Sequence, residues 1–413
     1  MNNETRTLIY TSLAHFTNDG TTYVYPFLLT FYADLKGANL VFLGAVYILN
    51  HLVNGFLSTP MGRIVDKVHR ENIFLFIGIV IEGASLFIFT LPFMVPSTLY
   101  PAVITGLIVL GVGQTFYHPI GATVIRKAYG RDRAPHALGI NGAFGSLGRA
   151  FVPSIMVAVV LLYGEFIGLS VISSFIVLVS LLPLFGLSFI SRKASAGSNA
   201  KGSKVEAKST AKKTRLERKV VIFLAIFTAI VFLKAMMARG IIVYLPTYVK
   251  LDTGSLVLST TIITAGLVIG AFGQPIWGRM TSIFGGKFTV SIVVVFTLVF
   301  YLLFLLFNRN VTLMLITYAI FALFNYSGFP VLLGYVSQIV PEEASSVSSG
   351  LVWGMGQILG GAAGTGITSL FLLFYPLGKS LYLMSIFGLL PIFLLPFLPR
   401  KETSPTGSGV VSQ

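Results

Sequence analysis

The chain has 413 residues, of which 55% are hydrophobic and only 10% charged, and its mean hydropathy is +0.86. Soluble domains carry about 25% charged residues, so the composition excludes an ordinary water-soluble globular protein. There is no cysteine, which excludes disulfides and thiolate chemistry.

Twelve apolar segments are each long enough to cross a bilayer, for which a helix needs about 20 residues. The apolar runs are continuous, which favours helices over a barrel of alternating strands. We therefore predict an all-α integral membrane protein with twelve transmembrane helices in two six-helix bundles. The expected spans are 8–31, 41–60, 73–95, 100–125, 136–162, 166–190, 220–248, 256–280, 288–307, 311–337, 346–373 and 378–398.

A basic segment divides the chain into two parts of similar size. Residues 191–219 are rich in Lys, Ser and Ala, a composition that cannot bury a core. The predicted domains are an N-terminal six-helix bundle at 1–190, a cytoplasmic linker at 191–219, a C-terminal six-helix bundle at 220–400 and a cytoplasmic tail at 401–413.

The basic residues are distributed as in a multi-pass membrane protein. With the N-terminus inside, 22 of the 29 Lys and Arg residues fall in cytoplasmic segments, four in outer loops and three within spans. This is the positive-inside pattern. It predicts a protein of the cytoplasmic membrane with both termini cytoplasmic. The net charge of +15 is then expected to meet anionic lipid headgroups, and nucleic acid is not an expected partner.

The two halves repeat several features in the same order. Pro26 and Pro246 lie late in spans 1 and 7, and the segment 60–63 (PMGR) closes span 2 much as 275–279 (PIWGR) closes span 8. Internal repeats of this kind are typical of transporters whose halves rock about a central site.

A loop motif lies between spans 2 and 3, in residues 62–70 (GRIVDKVHR). It resembles the loop motif of the major facilitator superfamily, and the likeness to that family extends over nearly the whole chain. The resemblance implies the major facilitator fold and a role for Gly62, Asp66, Lys67 and Arg70 in locking one conformation. The alternative is a basic loop that only sets topology.

Two shorter stretches resemble the fosmidomycin-resistance branch of the same superfamily, which exports small antibiotics. They are residues 15–19 (HFTND) in span 1 and residues 116–119 (FYHP) in span 4. The glycine-rich segment 142–149 (GAFGSLGR) is similar to the fifth-helix motif of drug–proton antiporters, although it lacks the Gly-Pro pair of that motif.

Ionisable residues inside a membrane are costly and so indicate function. Asp19 lies about 12 residues into span 1, near mid-membrane at 1.5 Å per residue, with His15 one turn below it and His118 at similar depth in span 4. These three are the proton-coupling candidates. The alternative is a permanently ionised Asp19 paired with Arg149 or Arg239, and Glu82 has no partner that the sequence identifies.

Further polar residues within the spans are candidates for binding substrate or pairing charge. Arginine suits bidentate binding of an anion, and aromatic or amide side chains can stack or hydrogen-bond. The candidates are Arg149, Lys234, Arg239, Asn325, Tyr326, Trp353 and Gln357.

The predicted function is secondary active transport of a small organic solute, most simply proton-coupled efflux by a monomer. Uptake of an organic anion is the alternative within this class. A polytopic membrane enzyme or a non-transporting sensor is the alternative outside it. The sequence has no phosphate-binding Gly-Lys-Ser/Thr loop and no HExxH pattern, and we expect neither cofactor nor metal.

Overall fold

The computed structural model describes residues 2–189, 216–326 and 328–400. Within these residues every regular element is a helix. Ten helical segments are long and apolar enough to cross a membrane. Membrane helices 1 (Asn3–Thr22 with Val24–Tyr32) and 11 (residues 342–371) are not among these ten. With them, the described residues contain the twelve membrane helices that the sequence predicts.

The N-terminal bundle contains membrane helices 1 to 6. Helices 1 to 3 are Asn3–Thr22 with Val24–Tyr32, Leu40–Ala45 with Ile48–Val68, and Glu71–Ile88. Helix 4 comprises Leu99–Gln114 and residues 117–129, helix 5 comprises residues 131–163, and helix 6 is Glu165–Gly186.

The C-terminal bundle contains membrane helices 7 to 12. Helices 7 to 9 are Arg218–Gly240 with Leu245–Thr253, Leu256–Phe284, and Gly286–Leu306. Helix 10 is Val311–Asn325 with Gly328–Ile339, and helix 12 is Leu377–Leu394. Helix 11 runs from Glu342–Leu351 through a π-helical stretch, Val352–Leu359, into Gly360–Phe371.

The helix ends follow from local sequence chemistry. Asn39, Ser255 and Asn310 begin helices 2, 8 and 10, where each side chain accepts a hydrogen bond from a backbone N–H of the first turn. Gly130 and Gly164 have positive φ and end helices 4 and 5. Glycine adopts this backbone conformation without the strain that a Cβ would cause.

The predicted spans are in the right order, but several are broken. Spans 1 and 10 are interrupted at Tyr23 and Tyr326, and spans 2, 4 and 7 are each divided into two helices, where the prediction had continuous helices. Helix 7 begins at Arg218, one residue before the predicted end of the linker at 219. Most of the predicted linker (191–215) and the tail (401–413) lie outside the described residues.

Glycines bring helix 5 into backbone contact with helix 1. A Cβ on Gly148 would overlap the carbonyl group of Phe16, and one on Gly20 would overlap Val152. Small residues at such crossings allow two membrane helices to approach closely. This close approach brings residues 145–149 of helix 5 alongside residues 15–20 of helix 1.

The same packing recurs between helices 7 and 11 of the second bundle. Gly364 lies against the backbone of Met236, Gly360 against that of Phe232, and Gly240 against Gly364. Gly20 and Gly240 thus occupy matching positions, six residues before Pro26 and Pro246 respectively. The repeat seen in the sequence is therefore a repeat of helix packing.

Gly148→Ala is expected to lower the stability of the protein in detergent by about 1–3 kcal/mol, the usual cost of overpacking. Its Cβ would meet a backbone carbonyl that cannot move without shifting helix 1. Gly142→Ala is the matched control, because a Cβ there meets nothing within 4 Å. Thermal unfolding compares the two, and equal midpoints would contradict the packing described above.

Candidate functional site

Asp19 is the centre of a polar cluster inside the N-terminal bundle. It lies on helix 1 with its side chain only 7% exposed, and its Oδ2 accepts a hydrogen bond from Nη1 of Arg149 on helix 5. The Asn18 amide donates to Oδ1 at 3.1 Å. Arg149 is the third residue after Ser146, and its Nη2 donates to the Ser146 hydroxyl at 2.8 Å. The acid is thus ion-paired within its own bundle.

Two histidines face the same carboxylate. Nε2 of His15 lies 3.3 Å from Oδ2 of Asp19, one helical turn away on helix 1. Nε2 of His118, from helix 4, lies 3.5 Å from Oδ1. The two imidazole rings meet edge to face with their centroids 5.5 Å apart. The structure therefore brings together all three residues named as proton-coupling candidates.

Asn141 fixes the orientation of His15. Nδ1 of the histidine lies 2.9 Å from both the backbone oxygen and Oδ1 of Asn141. Oδ1 also accepts a hydrogen bond from the Tyr117 hydroxyl at 2.8 Å, and the Tyr117 ring stacks on the His15 ring at 4.5 Å. Helices 1, 4 and 5 thus each contribute to one connected network.

The cluster is open on one side. The His118 side chain is 58% exposed and that of Arg149 is 26% exposed, although both lie deep within their helices. Cβ atoms on Gly139 of helix 5 and Gly350 of helix 11 would meet nothing within 4 Å. These two glycines lie toward the membrane face that carries residues 63–70 and the linker, called the linker side below. Of the three basic side chains around the central carboxylate, His118 is therefore the most exposed.

The opposite face of the membrane is closed by contacts between the halves. The Lys250 ammonium lies 2.6 Å from the Asp34 carboxylate, and the Tyr244 hydroxyl lies 3.4 Å from the carbonyl oxygen of Val41. Closer to the centre, the hydroxyls of Tyr23 and Tyr326 are 3.2 Å apart. These contacts close the far side between the two halves.

Gly44→Val is expected to shift the population away from this closed far side. A Cβ at Gly44 would overlap the end of the Tyr244 ring, which reaches across from the other half. The readout is the labelling rate of Thr30→Cys, a buried far-side position in a chain without native cysteine. Faster labelling in Gly44→Val, reversed by adding Tyr244→Ala, is the expected result. Unchanged labelling would contradict the interface.

The candidates of the C-terminal half form separate contacts. The Lys234 ammonium donates to the backbone oxygen and Oδ1 of Asn325, at 3.3 and 3.2 Å. Lys234 and Gln357 line one small, mostly apolar cavity. The Arg239 guanidinium lies over the Trp353 ring, 5.6 Å from its centroid. Arg239, the repeat counterpart of Asp19, therefore packs on helix 11 and is not the partner of Asp19.

The loop motif lies on the linker side as expected. A Cβ on Gly62 would meet the Pro119 ring of helix 4 at 3.5 Å, an ordinary contact, and Lys67 and Arg70 are exposed. The Asp66 side chain lies outside the described part of the chain. His69 has φ +53 at the end of helix 2, the left-handed conformation that favours glycine.

Some residues of the site were not identified from the sequence. The hidden partner of Glu82 is the Thr21 hydroxyl, which donates to its Oε2 at 3.0 Å. Gln274 of helix 8 donates to the Ser146 hydroxyl at 2.9 Å and so links the Arg149 network to the other half. The sequence contains only a weak indication that Asn141 belongs to the site: it is an amide in an otherwise apolar and glycine-rich helix.

The chain matches the family model described as Major Facilitator Superfamily over residues 11–365 and again over residues 230–410. No curated protein sequence gives a match. The family and the fold predicted from the loop motif are therefore confirmed.

Solved structures of transporters share the fold. One is a bacterial homologue of the human lysosomal transporter Spinster in an inward-facing, unoccupied conformation, with TM-score 0.71 and 11% identity, covering 96% of this chain and 98% of that one. Another is the peptide transporter POT with sulfate, with TM-score 0.67 and 14% identity, covering 95% and 93%. A mutant of POT with alafosfalin has TM-score 0.65 and 14% identity, covering 95% and 94%.

Proposed function

Because the chain belongs to the Major Facilitator Superfamily, we propose that it is a secondary transporter that exports a small organic solute in exchange for protons. The solute would cross the cytoplasmic membrane by alternating access, with both termini of the protein in the cytoplasm. The linker side would then be the cytoplasmic side, and the conformation described above would be open to the cytoplasm.

One observation carries the proposal of proton coupling. A buried carboxylate at mid-membrane, Asp19, is contacted by a guanidinium and two imidazoles, and one of those imidazoles is exposed to the open side. Imidazole takes up and releases protons near neutral pH. The proposal includes a cavity that runs from the linker side to His118, so that His118 passes a proton between this cavity and Asp19.

Arg149 links the protonation of Asp19 to a change in the arrangement of the two bundles. While its guanidinium holds Asp19, the carboxylate is stabilised in its ionised form. A proton that neutralises Asp19 removes this attraction and frees Arg149, which is also tied through Ser146 to Gln274 of the other half. The proton and Arg149 then compete for one carboxylate, so protonation favours a different arrangement of the two bundles.

We propose further that the loop motif stabilises one of the two states. Asp66 would pair with a neighbouring cation or helix end in only one of them, so its neutralisation would change their ratio. Asp66→Asn should alter the labelling rate of Thr30→Cys. Identical rates in the parent and the variant would remove Asp66 from gating.

The direct test is transport by the purified protein in liposomes with an imposed pH gradient. A panel of antibiotics and small carboxylates serves as substrates. We expect flux of at least one compound to follow the size of the gradient and to stop when a protonophore removes it. Flux that ignores the pH gradient for every transported compound would reject proton coupling.

Uptake of an organic anion is the second candidate. The observation that favours it is Lys234, which forms no ion pair with any acidic side chain that the structure describes and lines an apolar cavity with Gln357. An ammonium at membrane depth is costly without an anion. An anionic substrate with an apolar body would suit this position.

Lys234→Gln is therefore expected to raise KM for an anionic substrate about 10- to 100-fold, the loss of one charge-assisted hydrogen bond of about 1.5–3 kcal/mol. A neutral substrate should be almost unaffected. Lys219→Gln is the control, because it removes an exposed lysine from the same helix, about four turns from Lys234. Equal KM values in Lys234→Gln and the parent would exclude Lys234 from anion binding.

A further inference from the structure

The ligand atoms of His15, Asp19 and His118 lie close together. One ligand atom from each residue lies within 4.8 Å of the others. Nε2 of His15 is 3.3 Å from Oδ2 of Asp19, and Nε2 of His118 is 3.5 Å from Oδ1. Two ligands of a tetrahedral zinc ion, each about 2.0–2.2 Å from the metal, lie about 3.3–3.6 Å apart. The two contacts between a histidine and the carboxylate have this spacing.

The hydrogen-bond network sets the tautomer that a metal requires. Nδ1 of His15 faces two oxygen atoms of Asn141 at 2.9 Å. One of these is a backbone carbonyl, which can only accept, so we assign the ring hydrogen to Nδ1. The lone pair of the neutral ring then lies on Nε2 and points toward Asp19. Two acceptors 3.3 Å apart repel each other unless a cation lies between them.

Asn141 and Tyr117 supply the outer support that metal-binding histidines usually have. A ligating histidine almost always donates its other ring N–H to a carbonyl or carboxylate, which fixes the ring and raises its basicity. His15 has this arrangement through Asn141, and the Tyr117 hydroxyl holds the Asn141 side chain in place. The His118 side chain is more than half exposed, so an ion can reach the site from that side.

We propose that His15, Asp19 and His118 bind a divalent transition metal ion of the zinc class. Two imidazoles and one carboxylate suit Zn²⁺, Co²⁺ or Ni²⁺, whereas Mg²⁺ prefers oxygen ligands. Arg149 is the competitor, because its guanidinium holds the same carboxylate. A metal ion takes the place of Arg149 on Asp19, while Arg149 keeps its bond to Ser146. This inference does not depend on the proposed proton coupling.

Metal binding is measured on the full chain in detergent, with any affinity tag removed and no transport required. The probe is Co²⁺, followed by its visible absorption bands and by competition with Zn²⁺. The background is low, because the chain has no cysteine and only five histidines. We expect one equivalent of Co²⁺ to bind, Zn²⁺ to displace it and Mg²⁺ to leave it in place.

Variants locate the site. His118→Ala should abolish Co²⁺ binding, and Asn141→Ala should weaken it about 10- to 100-fold as the outer support is lost. Arg149→Gln should tighten binding, because the competing cation is gone; a loose surface site would not respond in this way. His136→Ala and His51→Ala are controls that should bind as the parent does.

Three outcomes would overturn the proposal. They are an absence of Co²⁺ binding to the folded parent, binding that survives in His118→Ala, and binding that is lost in His136→Ala or His51→Ala. In the first case a proton alone serves as the cation between His15 and Asp19. Because binding is read without substrate, this failure leaves the transport tests untouched.

Discussion

In liposomes, the Asp19→Asn variant is expected to lose transport driven by a pH gradient, with flux falling to the level of protein-free vesicles. The amide has the size of the acid but can neither carry the proton nor release Arg149 through protonation. Exchange of labelled for unlabelled substrate should survive in part, because exchange needs no net proton movement. Both assays are run on one preparation, so that a loss of coupling is distinguished from misfolding of the protein.

Asp252→Asn is the matched control for this prediction. It changes the same chemical group at an exposed position, at the end of helix 7 that lies on the far side of the membrane and away from the cluster. Its pH-driven flux should equal that of the parent. If Asp19→Asn also transports at the parental rate with the pH gradient, Asp19 has no part in coupling.

The second large effect is expected in a stability cycle over Asp19→Asn and Arg149→Gln. Removing one member of a fully buried ion pair costs about 3–5 kcal/mol, because a lone charge remains. The Arg149 side chain is 26% exposed, so water screens part of this cost and we expect about 2 kcal/mol for either single change. The double variant should lose less than the sum of the two.

The coupling energy from thermal or denaturant unfolding in detergent should be on the order of 0.5–3 kcal/mol, the range for residues in contact. Arg239→Gln combined with Asp19→Asn serves as the comparison cycle, since Arg239 lies over Trp353. Losses that add for both cycles would contradict a stabilising Asp19–Arg149 pair. Coupling only in the Arg239 cycle would mean that Asp19 pairs with Arg239 in a conformation other than the one described here.

Sequence alone predicts the fold, because each membrane helix is recognised by the length of its run of apolar residues. Twenty apolar residues span a bilayer wherever they occur, and the glycine rows of helices 5 and 11 indicate close packing by their spacing alone. The breaks at Tyr23 and Tyr326 were not predicted. They interrupt apolar runs without changing composition, so hydropathy gives no signal of them.

The contacts of the site are harder to predict than its members. Counting residues gives the depth of a side chain at 1.5 Å per residue, which places Asp19, His15 and His118 at similar levels. Rotation about each helix axis is not fixed by that count. It decides that Asp19 meets Arg149, while Arg239 turns toward Trp353. The Thr21–Glu82 contact depends on the same rotation.

The central claim is that substrate and protons move in exchange through one site that includes Asp19. The measurement that tests it most directly is the pH inside substrate-loaded liposomes, followed with a trapped dye, while substrate flows out with no imposed pH difference. The account predicts that the internal pH falls as substrate leaves, because protons enter in exchange, and that this fall is absent in Asp19→Asn. Substrate efflux from liposomes with the parent protein, without any change of internal pH, would contradict it.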